Sequence, residues 1–267
     1  VAERLALSDP SNAGWQRDLS VSHNKIGDVL RAQGDLAGGL KAYRESLGVA
    51  ERLALSDPSN AGWQSDLSVS QIKIGDVLLA QGDLAGGLKA YRESLGVAER
   101  LALSDPSNAG WQRDLSVSQD RIGDVLLAQG DLAGGLKAYR ASLGVRERLA
   151  LSDPSNAGWQ RDLSVSQIKI GDVLLAQGDL AGGLKAYRES LGVAERLALS
   201  DPSNAGWQRD LFVSYWKLAD VAEKTGTGDA RTWWSKAYDQ LVRMKQRGIM
   251  LPTDEKYLVA LKEKAGV

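Results

Sequence analysis

VAERLALSDPSNAGWQ, residues 1–16, decides the fold because it does not occur only once. It returns from Val49, Val97, Val145 and Val193, changed only where Arg146 replaces alanine. The interval is constant at 48 residues, as from Val1 to Val49. A fixed period of this size marks one supersecondary unit copied along an axis, each copy burying its apolar face on its neighbours.

Outward from that stretch, each unit reads as two helices. Helix A is expected from about Ala13 to Gln33, with Trp15, Leu19, Ile26, Val29 and Leu30 on one apolar stripe. Ser11 or Asn12 caps its start, after Asp9-Pro10 has ended the preceding helix. Gly34 closes it in the position where a left-handed residue is least strained. Asp35 then caps helix B, which runs through Leu36, Leu40, Tyr43, Leu47 and Leu53 to about Ser56. The turn between them is too short for anything but an antiparallel hairpin. No segment alternates with the period of a strand, so the fold class is all-α.

Composition narrows the function classes. Lys+Arg is 33 against Asp+Glu 34, a net charge of −1, which gives no electrostatic reason to expect nucleic acid or an anionic membrane. Cysteine is absent, which removes disulfides, thiolate metal sites and a cysteine nucleophile, and fits a reducing, cytoplasmic setting. His23 is the one histidine, so a His-based metal cluster within one chain is excluded. No apolar run approaches the roughly 18–20 residues needed to span a bilayer, and no signal peptide opens the sequence. No cofactor is expected. Val1 lies in mid-pattern, from which the chain is expected to be a fragment of something longer.

These residues resemble the tetratricopeptide repeat, whose 34-residue pattern of W-x2-L-G-x2-Y, A-x3-F and P can be laid on the unit. Ile26-Gly27 match the L-G pair, Leu30 takes the following Y position, and Gln33-Gly34-Asp35 look like the turn between helices. Gly39 takes the small-residue place, Tyr43 the large aromatic and Ser46 the second small one. Asp57-Pro58-Ser59-Asn60 resemble the closing D-P-N-N. The pattern departs at His23, which stands for the first Trp. Helix A begins, and the Pro comes, about seven residues outside the usual frame, a shift that returns a helix to nearly the same face. The resemblance implies a right-handed α-solenoid of antiparallel helix pairs with a C-terminal capping helix. As one domain over 1–267, it divides into residues 1–11 as the tail of a preceding helix B and repeats at about 12–59, 60–107, 108–155 and 156–203. A divergent fifth repeat at 204–251 and a capping helix at 252–267 follow.

Trp15, Trp63, Trp111, Trp159 and Trp207 begin helix A in every copy. The row reads either as a stacking platform or as rings filling the extra turns between repeats, and its place on the Leu19/Ile26 stripe favours the second. Gly34, Gly38 and Gly39 suggest a phosphate loop only superficially, because neither a strand nor a GK[ST] motif accompanies them. Gly39 instead lets two helices approach closely; Gly48 has no such reading.

The first four copies differ at few positions. In helix A these are Arg17/Ser65/Arg113/Arg161, His23/Gln71/Gln119/Gln167, Asn24/Ile72/Asp120/Ile168, Lys25/Lys73/Arg121/Lys169 and Arg31/Leu79/Leu127/Leu175; in helix B, Glu45/Ala141 and Ala50/Arg146. Positions 17, 24 and 31 are seven apart and lie on one line nearly opposite Ile26, sharing a face with Asp28. On the resemblance, that face is the inner, concave one, where an extended peptide is gripped. The candidate groove therefore carries Arg17, Asn24, Asp28 and Arg31 of copy one and Ile72, Asp76 and Leu79 of copy two. Arg113, Asp120, Asp124 and Leu127 continue it, then Arg161, Ile168, Asp172 and Leu175, then Arg209, Trp216 and Asp220. Arg and Asp columns suit a peptide backbone and charged side chains, and the Ile/Leu strip suits apolar anchors. The alternative is a solvated face free to drift.

After Gln208 the copying loosens. Phe212, Tyr215, Trp216 and Leu218 replace smaller or polar letters, Thr225-Gly226-Thr227-Gly228 form a turn, and Ser235-Lys236-Ala237-Tyr238 echo the earlier LKAY. A last helix is expected from Thr253, with Asp254 and Glu255 at its positive end and Gly266 at its close. This is the composition of a cap, with an aromatic ligand pocket around Trp216, Trp233 and Trp234 as the other reading. The opposite end is uncapped, which predicts exchange or head-to-tail self-association through it. The function expected is a scaffold binding a protein or peptide in the helix A groove; the alternative is a structural or self-assembling module without a ligand groove. No Ser/His/Asp set, paired carboxylates in a pocket or metal spacing points to an enzyme.

Overall fold

A computed structural model describes residues 1–226 and 229–267; Thr227 and Gly228 of the expected turn lie outside the described residues. All described elements are helical: α1 (Ala2–Ser8), α2 (Ala13–Ala32), α3 (Leu36–Ser56), α4 (Ala61–Ala80), α5 (Leu84–Ser104) and α6 (Ala109–Ala128). Then come α7 (Leu132–Ser152), α8 (Ala157–Ala176), α9 (Leu180–Ser200), α10 (Ala205–Thr225), α11 (Ala230–Gln246), a 3-10 turn (Pro252–Asp254) and α12 (Tyr257–Ala265). Consecutive helices pair as antiparallel hairpins. None of the described helices is long and apolar enough to cross a membrane.

Local chemistry sets the ends. The Asn12 side chain accepts the Trp15 amide at 3.0 Å, and Asn60, Asn108, Asn156 and Asn204 repeat the cap. Asp35 caps α3 through the Gly38 amide at 2.8 Å. Asp57 closes the preceding turn, accepting from the Ser59 amide at 3.0 Å and hydroxyl at 2.5 Å. Caps of this kind are each worth about 1 kcal/mol. Gly34 has φ +86°, a left-handed backbone that lets two long helices reverse within a few residues.

Two features fix how closely each hairpin closes. The Tyr43 ring lies against the α2 backbone at Gly27, where a Cβ would stand 2.5 Å from Cε1. Ser20 and Ser46, fully buried, share a hydrogen bond at 2.8 Å, and Ser46 reaches Ser70 of the next helix A at 3.2 Å. Small polar side chains at the crossing admit close backbones while satisfying one another. Gly39 sits where a Cβ would meet the Gly27 carbonyl at 3.3 Å, the close approach its sequence position suggested. Nothing in the structure requires glycine at Gly48, whose Cβ would meet only Arg52 at 3.9 Å.

The chain divides into two compact units, Val1–Val145 and Arg146–Val267. In the first, α3 packs on both α2 and α4, burying Leu40, Tyr43, Ile74, Val77 and Ala90 together. Leu88, Tyr91, Ile122 and Val125 form the equivalent cluster one copy on. In the second unit, Tyr187, Leu191, Leu211, Leu218 and Val221 repeat the arrangement. Beyond it, Phe212, Trp234, Leu241, Met244 and Leu261 build the last core under α12. The five helix A tryptophans are half-buried along the packed stripe.

The last helix differs from expectation. It starts at Tyr257, and Thr253 and Asp254 belong to the 3-10 turn before it. Asp254 is 1% exposed and accepts both Nε and Nη2 of Arg209, at 2.7 and 3.1 Å. A bidentate guanidinium is a better partner than a helix dipole, so the carboxylate is drawn into the core and the helix begins later. Gly266 does close α12 with φ +69°, and Arg231 donates to the Ala265 and Gly266 carbonyls at 3.0 Å.

Candidate functional site

The line through residues 17, 24 and 31 does not open freely into solvent; it faces the neighbouring helix A. Arg17 donates to Asp66 at 2.6 Å through Nε and 3.3 Å through Nη2. Asn24 reaches Ser70 at 3.4 Å, and Arg31 reaches Asp76 at 3.5 Å. In the second unit Arg161 pairs with Asp210, with Nη2 at 3.1 Å, and Arg209 grips Asp254. The arginines of the candidate groove are thus rungs between adjacent elements before they are ligands for anything else. Exposed rungs of this kind contribute about 0–1 kcal/mol each. Copy two carries Ser65 in place of the arginine. Asp114, the acid one copy on, has its carboxyl raised by burial, with only adjacent Arg113 opposing.

The aspartate row is held from behind. Asp28, Asp76 and Asp124 accept the hydroxyls of Tyr43, Tyr91 and Tyr139 at 2.8, 2.6 and 2.5 Å, and Asp172 accepts that of Tyr187. Lys73 donates to Asp28 at 2.5 Å with its ammonium 5.4 Å from the Tyr43 ring centre. Lys217 repeats this on Asp172 at 2.7 Å, and Asp220 pairs with Lys224 at 2.8 Å. Burial disfavours the charged form of Asp28, yet the bonds from Lys73 and Tyr43 outweigh it and hold the carboxyl below the usual range. Burial first, and the bond to Asp28 second, push the Tyr43 hydroxyl up to about 12. Tyr91 and Tyr187 are pushed further in the same direction.

These shifts give a pH prediction. A carboxyl depressed on folding stabilises above its unfolded value of about 3.9, and that contribution is lost as pH falls through the lower folded value. Asp28 and the turn residues Asp9, Asp57, Asp105 and Asp201 all act in this sense, the turn residues through their serine hydroxyls. Tyr43 has the opposite sign: its contribution is complete below about 10 and is lost as pH rises through its folded value of about 12. Urea midpoints across a pH series are expected to form a plateau that falls below about pH 4 and above about pH 10. A midpoint flat through both limits would contradict this.

The apolar strip is less open than its sequence suggests. Ile72 and Leu79 are half-buried against the Leu88/Tyr91/Ile122 core, and Ile168 and Leu175 against the Tyr187 core. Leu79, Leu127 and Leu175 lean on Gly87, Gly135 and Gly183, whose added Cβ would come within 3.1, 2.7 and 2.7 Å of them. Asp120 is only 7% exposed and belongs to the interior. Trp216 lies in the cap, with edge-on contacts to Phe212, Trp234 and Tyr257 at 5.8, 5.2 and 5.2 Å. Trp234 is buried, and Trp233 stacks under the Lys236 ammonium at 4.6 Å. His23 faces Glu45 at 3.1 Å.

One place does bring the candidate groove residues together with space. Arg31, Asp76, Leu79, Tyr91, Arg121 and Asp124 line an open cavity of about 440 Å³ on the helix A face of the first unit. Asp76 sits between two guanidiniums, Arg31 at 3.5 Å and Arg121 at 3.8 Å, both on side chains less than half exposed. Neither contact is a tight hydrogen bond, so each guanidinium keeps donors for another acceptor. Arg121 was missed as a site residue in the sequence. The signal was present: among the first four copies it is the one arginine in a column of lysines, as Arg31 is the one arginine in a column of leucines.

At the start of the first unit, Ile26 and Val29 are 52% and 56% exposed. Their counterparts Ile74 and Val77 are 6% and 0% exposed beneath α3. Over α2, the place that α3 takes on α4 is held only by the short α1.

No family model and no curated relative matches the chain. Solved structures do. BtubC (BKLC) from P. vanneervenii superposes with a TM-score of 0.64 at 16% identity, covering 92% of this chain and 85% of that one. A single-substitution form of the nearly identical TPR-like repeats of a putative kinesin light chain from Podosopora anserina gives 0.65 at 8% identity, covering 86% and 98%. A second structure of those repeats gives 0.59 at 9% identity, covering 87% and 96%. At such identities the likeness is one of fold: a TPR-like array of helical hairpins.

Proposed function

We propose that the chain is a protein-interaction scaffold that holds a peptide or partner helix along its helix A face, with an acidic group of that partner seated between Arg31 and Arg121. The observation that carries this reading is the convergence of two copy-specific arginines on one cavity. Among units copied nearly letter for letter, these two changes come from copies one and three and meet over Asp76 of copy two. An incoming carboxylate would take the fork geometry that Asp76 occupies loosely, while Leu79 and the Tyr91 ring offer an apolar shoulder.

Arg31→Leu with Arg121→Lys restores the letters of the other copies and is therefore expected to leave folding intact. Fluorescence anisotropy against a library of labelled peptides should show acidic peptides bound by the parent chain and weakened about tenfold or more by the pair of substitutions. Equal binding by both chains, or selection of peptides without acidic groups, would overturn the reading. Substituting Leu79, Leu127 and Leu175 by Glu is the poorer test, because these side chains pack on glycines of their own hairpins.

A second reading has its own support. The exposed Ile26/Val29 face of α2 favours self-assembly through the N-terminal end, where a helix of the α3 type would complete the packing seen in later copies.

A further inference from the structure

Each unit carries a feature that neither the groove nor the α2 face uses. Leu55 and Leu103 are each 78% exposed at the last turn of α3 and α5, and Leu7 is 72% exposed at the same place on α1. In the second unit Leu151 and Leu199 hold the corresponding positions at 78% and 82%. An isolated surface leucine needs no account, but the same leucine exposed once per period forms a row. Between the first unit's copies, the row is interrupted by a cavity of about 780 Å³. Its floor is Ala54, Leu67, Val97 and Leu101, and Leu55, Glu51 and Arg100 stand at its rim.

We propose that this edge is a docking surface for a second copy of the same chain, Leu103 of each copy entering the cavity beside Leu55 of the other. The surface is complementary to itself in shape, because it displays both the projecting side chain and the hollow that fits it. It is also complementary in charge. Glu51 and Arg52 lie one turn before Leu55, and Glu99 and Arg100 one turn before Leu103, all exposed on the same edge. A partner of one sign meets as many repulsions as attractions there, whereas a two-fold related copy sets Glu51 against Arg100 twice. A patch that matches itself under a two-fold axis closes as an isologous dimer. This edge is distinct from the helix A cavity, so either proposal can fail alone.

Sedimentation equilibrium over a concentration series tests it on the whole chain. The parent chain is expected to dimerise, and Leu103→Glu to weaken the dimer about tenfold or more with an unchanged circular-dichroism melt. Glu51→Arg and Arg100→Glu should each weaken self-association, and a mixture of the two should recover it as a heterodimer. A parent chain that stays monomeric, a Leu103→Glu chain that associates as before, or association lost only on Ile26→Glu would overturn the proposal. The last outcome would place the contact on α2.

Discussion

Arg209→Met is expected to destabilise the C-terminal end by about 2–3 kcal/mol, below the roughly 3–5 kcal/mol for breaking a fully buried pair because the guanidinium is partly in water. The carboxylate it leaves behind is the reason. The Asp254 side chain is 1% exposed against 41% for Arg209, so the charge that remains is the one without solvent. Arg209→Lys keeps the charge but not the two-pronged geometry, and is expected to fall between methionine and the parent. Asp254→Leu in the Arg209→Met background removes the stranded charge and should recover most of the loss. Urea unfolding of the four chains checks the order. If Arg209→Met melted with the parent, the clamp between α10 and the 3-10 turn would carry no weight. Because array stability is a sum of units and neighbour contacts, the loss should appear first as early hydrogen exchange in α11 and α12.

The clamp also shows where sequence reading stopped. Helix ends were legible to within a residue, since Asn12, Gly34, Asp35 and Asp57 act on backbone groups only a few residues away. Gly27 and Tyr43 were legible as a matched pair of positions in the repeat. Pairing between copies was not. Arg17 reaches an acid 49 residues on, and Arg31 one 45 residues on. These offsets are one period plus one residue and one period less a helical turn. They follow from how neighbouring A helices slide past each other, a quantity that identical copies do not encode, because the same letters recur in every unit. The same blindness hid Arg121, which approaches Asp76 from the copy on the other side to Arg31. It also hid Asp254, where the general preference of acids for helix starts outweighed a partner on a distant helix. Burial of Asp120 and half-burial of Leu79 were illegible for a related reason: a helix packed on several sides has no single wet face to read from periodicity.

Gly75→Ala should cost about 1–3 kcal/mol, although alanine is the better helix former by about 1 kcal/mol. Its Cβ would stand 2.6 Å from Cε1 of Tyr91, a ring that is 1% exposed and pinned at its far end by the 2.6 Å bond to Asp76. The ring cannot retreat without giving up either that bond or its contacts with Leu88, Ile122 and Val125. Tyr91→Ala alone is expected to cost about 3–5 kcal/mol, the usual range for emptying a buried aromatic site. The informative chain is the double substitution. With the ring gone, the methyl group at position 75 meets open space, and its helix preference is the only term left. Gly75→Ala should therefore turn from destabilising to stabilising in the Tyr91→Ala background, a coupling of about 2–3 kcal/mol. Urea unfolding of the four members of the cycle measures it, and additivity within error would mean the glycine is there for some reason other than the ring. The reversal of sign separates a steric role from a conformational one. Gly75 has no positive φ to protect, whereas Gly82 at φ +83° does, and alanine there should destabilise whatever stands at position 91.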